Sequence, residues 1–368
     1  MRIIVDISPL TSLPITGIGK ILENLIDELQ ERDDITLTSF ALVARGLLPG
    51  LKKTYPELKA PAIPARISRA ALHFAQTVSL PIDFIAGPAD AVISFAWLCL
   101  PLKSGKTVAI IADATPITDP QWHREINIEL FKKRLRSIKK NADVVAAISE
   151  ATKKELINST NIEKEKIVVA YPGVPKAFNA EPTKSTLRRI KEKYNLPNDF
   201  LLFVGTQEPR KNLESLIKAF AGVDNKIRKQ TKLVLVGDKG WGRKNSRPSF
   251  VQELGFIPDD ELPSIFVLSH GLVFPSLKEG FGLPIVEAFA TGIPVLTSNR
   301  SSMAEISKGA AILVNPESQK SIQHGLEQLL RLDAKTKNEL VREGKKRSQE
   351  FSFKKMADKI IQEIKRPQ

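Results

Sequence analysis

Two glutamates with seven residues between them, Glu279 and Glu287, bracket a stretch that reads Gly280, Phe281, Gly282, Leu283, Pro284. Pro284 suits the first turn of a helix and Gly292 its end, so a helix is expected from about 284 to 291. Gly282 and Leu283 then lie at its N-terminus. Free backbone N–H groups and the positive end of the dipole make that point an anion site, and glycine lets a phosphate or sugar approach the main chain. The two carboxylates are suited to acid and base work, and equally to accepting hydrogen bonds from sugar hydroxyls; the second reading is preferred for both. Glu287, expected in the first turn, would also complement the helix dipole. A second group runs from Phe203 and Val204 through Gly205, Thr206, Gln207, Glu208 and Pro209 to Arg210, Lys211 and Asn212. A guanidinium fork beside an ammonium point charge can hold a diphosphate, whereas such a pair standing alone is usually solvated surface. Asn212 is expected to cap the helix that follows, which carries Leu213, Leu216, Ile217 and Phe220 inside. The third group is Thr16, Gly17, Ile18, Gly19 and Lys20, two glycines where the dinucleotide fingerprint has three. It permits close backbone approach to a ligand, and it permits a plain turn.

Positioning such groups requires strands that end in turns. Short runs rich in Val and Ile alternate with amphipathic segments, the pattern of parallel sheets covered by helices on both faces. In the first half, strands are expected at Arg2 to Ile7, Ile35 to Val43, Ala91 to Phe95, Thr107 to Ala112, Asp143 to Ile148 and Ile167 to Ala170. A helix with Ile18, Ile21, Leu22, Leu25 and Leu29 at helical spacing separates the first two. The proline-rich then basic stretch Tyr171 to Asp199 reads as an interdomain connection. A second series begins afresh at Phe200 to Val204, Lys232 to Val236, Gly271 to Phe274, Pro294 to Thr297 and Ile312 to Val314. Gly237 to Gly240 reads as a turn. Polar helical segments over Ser318 to Lys346 precede a last helix, Phe351 to Ile364, with Phe353, Met356, Ile360, Ile361 and Ile364 on one face. The fold class is therefore α/β, two doubly wound domains with ligands gathering at the carboxyl ends of the strands.

The bulk properties agree. A chain of 368 residues exceeds what one compact core organises, and 42% apolar with 26% charged residues is ordinary for a globular protein. No apolar run approaches the ~20 residues of a membrane-spanning helix, and Ile3 to Val5 is too short for a signal peptide. The single cysteine, Cys99, lies in the apolar stretch Trp97 to Leu102 and reads as buried filler. The formal charge of +14 favours an anionic partner. Part of it sits in Phe131 to Lys140, where Lys132, Lys133, Arg134, Arg136, Lys139 and Lys140 share a helix with Phe131, Leu135 and Ile138. Such a segment suits an anionic membrane surface, or a solvated helix packed by its three apolar residues. Ala65 to Val78, with Arg66 and Arg69, is a second candidate surface segment.

The Glu279 to Glu287 spacing, the Arg210-Lys211-Asn212 turn and the Gly17 to Gly19 loop together resemble the glycogen-synthase-like family of retaining GT-B glycosyltransferases, the glycosyl transferases group 1, in mannosyltransferase-like form. The resemblance covers nearly the whole chain, most strongly Phe200 to Pro316, including Leu254, Gly255, Phe256, Ile257 and Pro258, and Ala288 to Val295. It implies a nucleotide diphosphate sugar donor. Arg210 and Lys211 would hold the diphosphate and neutralise charge growing on it as it leaves. Glu279 would contact the donor sugar and Glu287 the ribose. Gly205, Gly17, Gly19 and the backbone of Phe281, Gly282 and Leu283 would line the donor, with Phe256 and Ile257 at the nucleobase. The family's His-Asp pair in the first half is here Ala112 and Asp113, so Asp113 remains and the histidine is missing.

The resemblance further implies two Rossmann-like domains facing a central cleft, residues 1–175 binding acceptor and 176–350 the nucleotide sugar, with 351–368 returning to the first. The expected activity is that of a hexosyltransferase building cell-surface polysaccharide or lipopolysaccharide, with mannose from GDP-mannose as one donor and a glycan or lipid-linked acceptor. No cofactor and no metal is expected: there is no Asp-x-Asp element, and His73, His123, His270 and His324 are scattered. A cytoplasmic site is expected, peripheral at the inner face of the membrane. An epimerase of the same architecture is the alternative, short of a histidine beside Asp113 and Glu279. A nucleic-acid-binding protein is a weaker one, because only six per cent of residues are aromatic and no stacking module is recognisable.

Overall fold

In the computed structural model, residues 1–11, 17–41, 62–64, 81–95, 99–228, 230–240 and 247–367 are described. Thr16, the end of the second expected strand at residues 42–43, the Ala65 to Val78 segment and Trp97 lie outside them. The chain divides into two compact units, Met1–Pro172 with Phe353–Gln368, and Gly173–Ser352.

The first unit carries a sheet of β1 Arg2–Asp6, β2 Thr36–Ala41, β3 Ala62–Pro64, β4 Ala91–Ser94, β5 Lys106–Ile111, β6 Val144–Ala147 and β7 Ile167–Val169. Its order is β3-β2-β1-β4-β5-β6-β7, and every pairing is parallel. The inner strands are buried at every position of β4 and β6 and all but the first of β1, which is why they read as unbroken apolar runs. β3 was not expected; three residues on a sheet edge carry too little pattern to be read. Helix Gly17–Gln30 buries Ile21, Leu22, Leu25, Ile26 and Leu29. Gly17 and Gly19 stand in its first turn, so they do not form the loop expected of them.

The last helix, Phe353–Lys365, belongs to this first unit and packs on helix Gly17–Gln30 and on β5. Phe353, Met356, Ile360, Ile361 and Ile364 are all buried, each such side chain contributing about 1.5–3 kcal/mol before the entropy of ordering is subtracted. Polar ties flank the stripe: Arg32 meets Asp358 at 2.5 Å, and the Lys106 ammonium donates to the Glu363 carbonyl at 3.0 Å.

The second unit repeats the plan with β8 Phe200–Val204, β9 Lys232–Val236, β10 Val251–Gly255, β11 Gly271–Phe274, β12 Val295–Ser298 and β13 Ile312–Val314, ordered β10-β9-β8-β11-β12-β13. β10 was missed because Val251, Gln252, Glu253 and Leu254 are all half-buried on an edge and show neither an apolar run nor alternation. Helix Lys184–Lys193, read as part of a connection, belongs to this unit and packs on helix Leu262–Leu268. The carboxylate of Glu261 holds them together through Lys193 at 2.7 Å, Arg189 at 3.1 Å and the Tyr194 hydroxyl. Chain order runs outward from β8 to β10 on one side and from β11 to β13 on the other. The direction therefore reverses between β8 and β11, and that crevice is where open α/β sheets bind ligands.

Candidate functional site

The loops after β8 and β11 meet at this reversal. After β8 the chain makes a 3-10 turn, Pro209–Lys211, and then enters helix Leu213–Gly222. Asn212 occupies the cap position with φ of 60°, but its side chain does not cap the helix as expected. Its amide instead donates to the carbonyls of Pro275, at 3.1 Å, and Pro316, at 2.7 Å. Together with the bond from Leu277 N–H to the Arg210 carbonyl at 2.8 Å, this fastens the cationic turn to the loop after β11. A single amide that staples two loops serves the site better than one that satisfies a helix end.

Arg210, Lys211 and Glu279 are thereby brought into one ion cluster. An Arg210 terminal nitrogen lies 2.5 Å from one Glu279 oxygen, and Lys211 Nζ lies 2.7 Å from the other. Glu208 holds the Arg210 Nε at 2.9 Å. Lys211 is 9% and Glu279 7% exposed. The lysine stem runs along Gly205, and its ammonium lies 4.9 Å from the centre of the Phe274 ring. Burial would raise the Glu279 carboxyl, but Arg210 and Lys211 outweigh it and hold the group below the usual carboxylate range. Burial pulls the Lys211 ammonium below its ordinary value against the support of Glu279. The Lys211–Glu279 contact is an ion pair without hydrogen-bond alignment. Arg210 and Lys211 are balanced by Glu208 and Glu279, so the cluster is formally neutral.

The loop is anchored beyond Glu279 as well. The Glu279 carbonyl accepts from the Ser301 and Ser302 hydroxyls at 3.0 and 2.8 Å. Phe281 is buried edge-on against Phe351. Gly282 precedes helix Leu283–Thr291 with φ of 100°, a conformation that favours glycine. Gly292 closes the helix in the left-handed region, so this helix starts and ends within a residue of expectation. Glu287 is 2% exposed and lies beyond the first turn, which carries no acidic residue. Its expected place in that turn is corrected, and the dipole gives no account of it, since that effect fades within one turn.

Gly237, expected in a plain turn, has a steric duty: a Cβ there would stand 2.4 Å from the Gly205 carbonyl oxygen, with φ of 123°. The turns after β8 and β9 therefore pack backbone to backbone. Beyond β10, Phe256 is 51% exposed and Ile257 is buried, so the two share a loop while facing different surroundings. Gln207, from the second group, forms a network on this side of the sheet with Arg247 and Glu253, neither of which was singled out from the sequence. Arg247 also reaches Glu214 at 2.7 Å.

In the first unit Asp113 follows β5. Its Oδ1 accepts from the backbone N–H and the hydroxyl of Thr115, at 3.0 and 2.6 Å, and Thr115 in turn meets His123 Nε2 at 2.9 Å. In helix Glu125–Asn141, Phe131, Leu135 and Ile138 are buried in the core, as the packed-helix reading requires. Arg134, grouped with the surface cations above, is also buried and donates to the Ile110 carbonyl at 2.5 Å. Lys132, Lys133, Arg136, Lys139 and Lys140 remain exposed. Cys99 is buried, its thiol pushed up to about 12 by burial. Among the described residues no group of three or more His, Cys, Asp or Glu side chains is placed to hold a metal ion, and no helix is long and apolar enough to cross a membrane.

The family described as Glycosyl transferases group 1 matches residues 185–347. The O-antigen chain mannosyltransferase B of Escherichia coli is 28% identical over 244 residues, 64% of this chain and 64% of the relative. The serotype-specific mannosyltransferase WbdA of Escherichia coli is 28% identical over 277 residues, 71% of this chain and 33% of the relative. The chain thus spans less than two thirds of the length of either. Among solved structures, Anabaena Alr3699/HepE in complex with UDP-glucose superposes with a TM-score of 0.75 at 18% identity, covering 98% of both chains. The chain thus has the GT-B glycosyltransferase fold, and its residues 185–347 match the glycosyl transferases group 1 family.

Proposed function

We propose that this chain is a retaining hexosyltransferase that moves a sugar from a nucleotide diphosphate donor to a glycan or lipid-linked acceptor in cell-surface polysaccharide synthesis. The observation that carries the reading is the Arg210, Lys211 and Glu279 cluster at the strand-order reversal of the second sheet, beside the start of helix Leu283–Thr291. A diphosphate brought there meets two cations that are paired with the carboxylates of Glu208 and Glu279. It also meets the positive end of a helix dipole, although Pro284 there has no N–H and the Ile285 N–H donates to the Gly282 carbonyl at 2.9 Å. As the sugar departs, negative charge grows on the diphosphate, and Arg210 and Lys211 are placed to stabilise it. Glu279 then has its carboxylate available to sugar hydroxyls, and the buried Glu287 is assigned to the ribose. Gly205, Phe281, Gly282 and Leu283 line the phosphates and sugar, and Phe256 and Ile257 the nucleobase.

Residues 176–350 form the donor domain in this reading and 1–175 the acceptor domain, where Asp113, Gly17 and Gly19 belong. Mannose is the sugar favoured, because the curated relatives reported above carry mannosyltransferase names. The epimerase alternative is not favoured, since the matched family and those relatives are glycosyltransferases. The exposed cations of helix Glu125–Asn141 support peripheral contact with an anionic inner membrane face and a cytoplasmic site.

A thermal-shift panel of nucleotide diphosphate sugars tests the reading, since a ligand that binds only the native state raises its stability. One member, GDP-mannose first, is expected to raise the melting temperature and to be consumed in transfer. Lys211→Met and Glu287→Gln are expected to lose transfer. Near-normal turnover in either variant would sink the assignment.

A further inference from the structure

We infer that His123 is a positioning residue for Asp113, acting through the buried hydroxyl of Thr115. This rests on the proposed function only in taking Asp113 to face a sugar. A carboxylate can only accept, so the Thr115 hydroxyl, 2.6 Å from Asp113 Oδ1, gives its proton there. The same hydroxyl then has only lone pairs for His123, and the imidazole 2.9 Å away must donate from Nε2. The relay runs one way: His123 Nε2–H to Thr115 Oγ1, and Thr115 Oγ1–H to Asp113 Oδ1.

Three further observations give the relay a purpose. Thr115 is 0% exposed, so its hydroxyl has no water to turn to and depends on these two partners. Both Thr115 bonds end on Oδ1, which fixes the carboxylate plane and directs Oδ2 elsewhere. Burial pulls the buried Arg134 guanidinium below its ordinary value, against the support that the charges of Asp6 and Asp113 give it. Asp113 is thus oriented through Thr115. Ala112 offers no imidazole next to this aspartate in the chain, and one reaches the bridging threonine from the segment after the Pro120–Trp122 turn. Since His123 touches the bridging threonine, its effect is on the geometry of Asp113.

The test uses the full chain with His123→Ala, His123→Gln, Thr115→Val and the double variant His123→Ala/Thr115→Val, each first shown to melt cooperatively. A carboxylate misplaced by a fraction of an ångström lowers kcat by about ten- to a hundredfold in His123→Ala, with donor KM nearly unchanged. Glutamine presents a nitrogen donor near the position of Nε2, so His123→Gln is expected to recover kcat to within about threefold of wild type, on the scale of one hydrogen bond. Thr115→Val breaks the same relay, and the double variant falls no further than the worse single one. Should Thr115→Val fail to fold, Thr115→Ser, which keeps the hydroxyl, must retain wild-type kcat.

Nitrogen NMR of the imidazole reads the relay without any turnover, and the Nε2–H tautomer is expected. An Nδ1–H tautomer, wild-type kcat in His123→Ala, no recovery with glutamine, or losses that multiply would each overturn the inference. The Nε2–H tautomer in a protein that transfers from no nucleotide sugar would keep the relay and remove the transferase reading.

Discussion

Replacing Glu279 with glutamine keeps the shape of the ion cluster and removes the charge at its centre. In the native arrangement that carboxylate lies 2.5 Å from Arg210 and 2.7 Å from Lys211, and both it and the lysine are buried. Removing one partner of a buried ion pair costs about 3–5 kcal/mol, because the other charge is left unbalanced in a poor solvent. Arg210 keeps Glu208, and Lys211 can shed a proton that burial already loosens, so the cost falls to or just below the low end of that range, about 2–3 kcal/mol. For a unit of this size each kcal/mol moves the melting temperature by about 2–4 °C, giving a fall of about 4–12 °C.

A nucleoside diphosphate reverses this. It supplies the missing negative charge, and in Glu279→Gln it meets no competing carboxylate. Ligand at a hundred times its Kd adds about 2.7 kcal/mol, so at equal concentration the thermal shift is expected to be larger in the variant than in wild type. Sugar transfer should nevertheless fall, because the group assigned to the sugar is gone. The assay is a melting curve with and without nucleoside diphosphate, paired with product formation. Melting at the wild-type temperature, or a ligand-induced rise smaller than that of wild type, would refute the view that Glu279 and the diphosphate compete for the same two cations.

Other consequences concern stability and the surface. Glu261 is lowered to about 2 by its hydrogen bonds from Lys193 and Tyr194, opposed by burial and aided by Arg189. A depressed folded-state value contributes stability that is present above about pH 4.5 and lost as pH falls toward 2. With half-exposed cations the contribution is about 1–2 kcal/mol, so Glu261→Gln should melt below wild type at pH 7 and alongside it near pH 2; a gap independent of pH would contradict the ion-pair account. Gly237→Ala forces a methyl against the Gly205 carbonyl at a positive φ and should cost about 2–4 kcal/mol in chemical denaturation, an expectation that an unchanged midpoint would end. Lys133, Arg136 and Lys140 replaced by alanine should weaken binding to anionic vesicles by about a hundredfold, at ~1 kcal/mol per residue. Vesicle binding that is unaffected by these changes, or by salt, would dismiss the membrane contact.

The strands that could be read in advance are those buried on both faces, because a sheet covered by helices demands apolar residues at every position. β8, β9 and β11 fall where the sequence places them, and so does β13, an edge strand whose short apolar run was legible without full burial. β10 sits on an edge, where half-burial leaves no period to detect, and β3 on the edge of the other sheet is only three residues long. Helix Leu283–Thr291 was legible through Pro284 and Gly292, residues whose backbone restrictions act locally. Gly17 and Gly19 misled, since glycine permits a loop without requiring one, and here the helix begins on them.

By itself the sequence determined the parallel α/β plan, the helix between Gly282 and Gly292, and the chemical types gathered near it, since each follows from local periodicity or from one residue's backbone limits. Only the tertiary structure decided which charges meet. Arg210 and Lys211 reach Glu279 because β8 and β11 are neighbours across the reversal of strand order, a pairing of distant segments that no local pattern carries. The same holds for the staple made by Asn212, for the burial of Arg134, and for the imidazole of His123 that reaches Asp113 through one threonine hydroxyl. Local rules choose elements, and long-range packing chooses the partners of their polar ends.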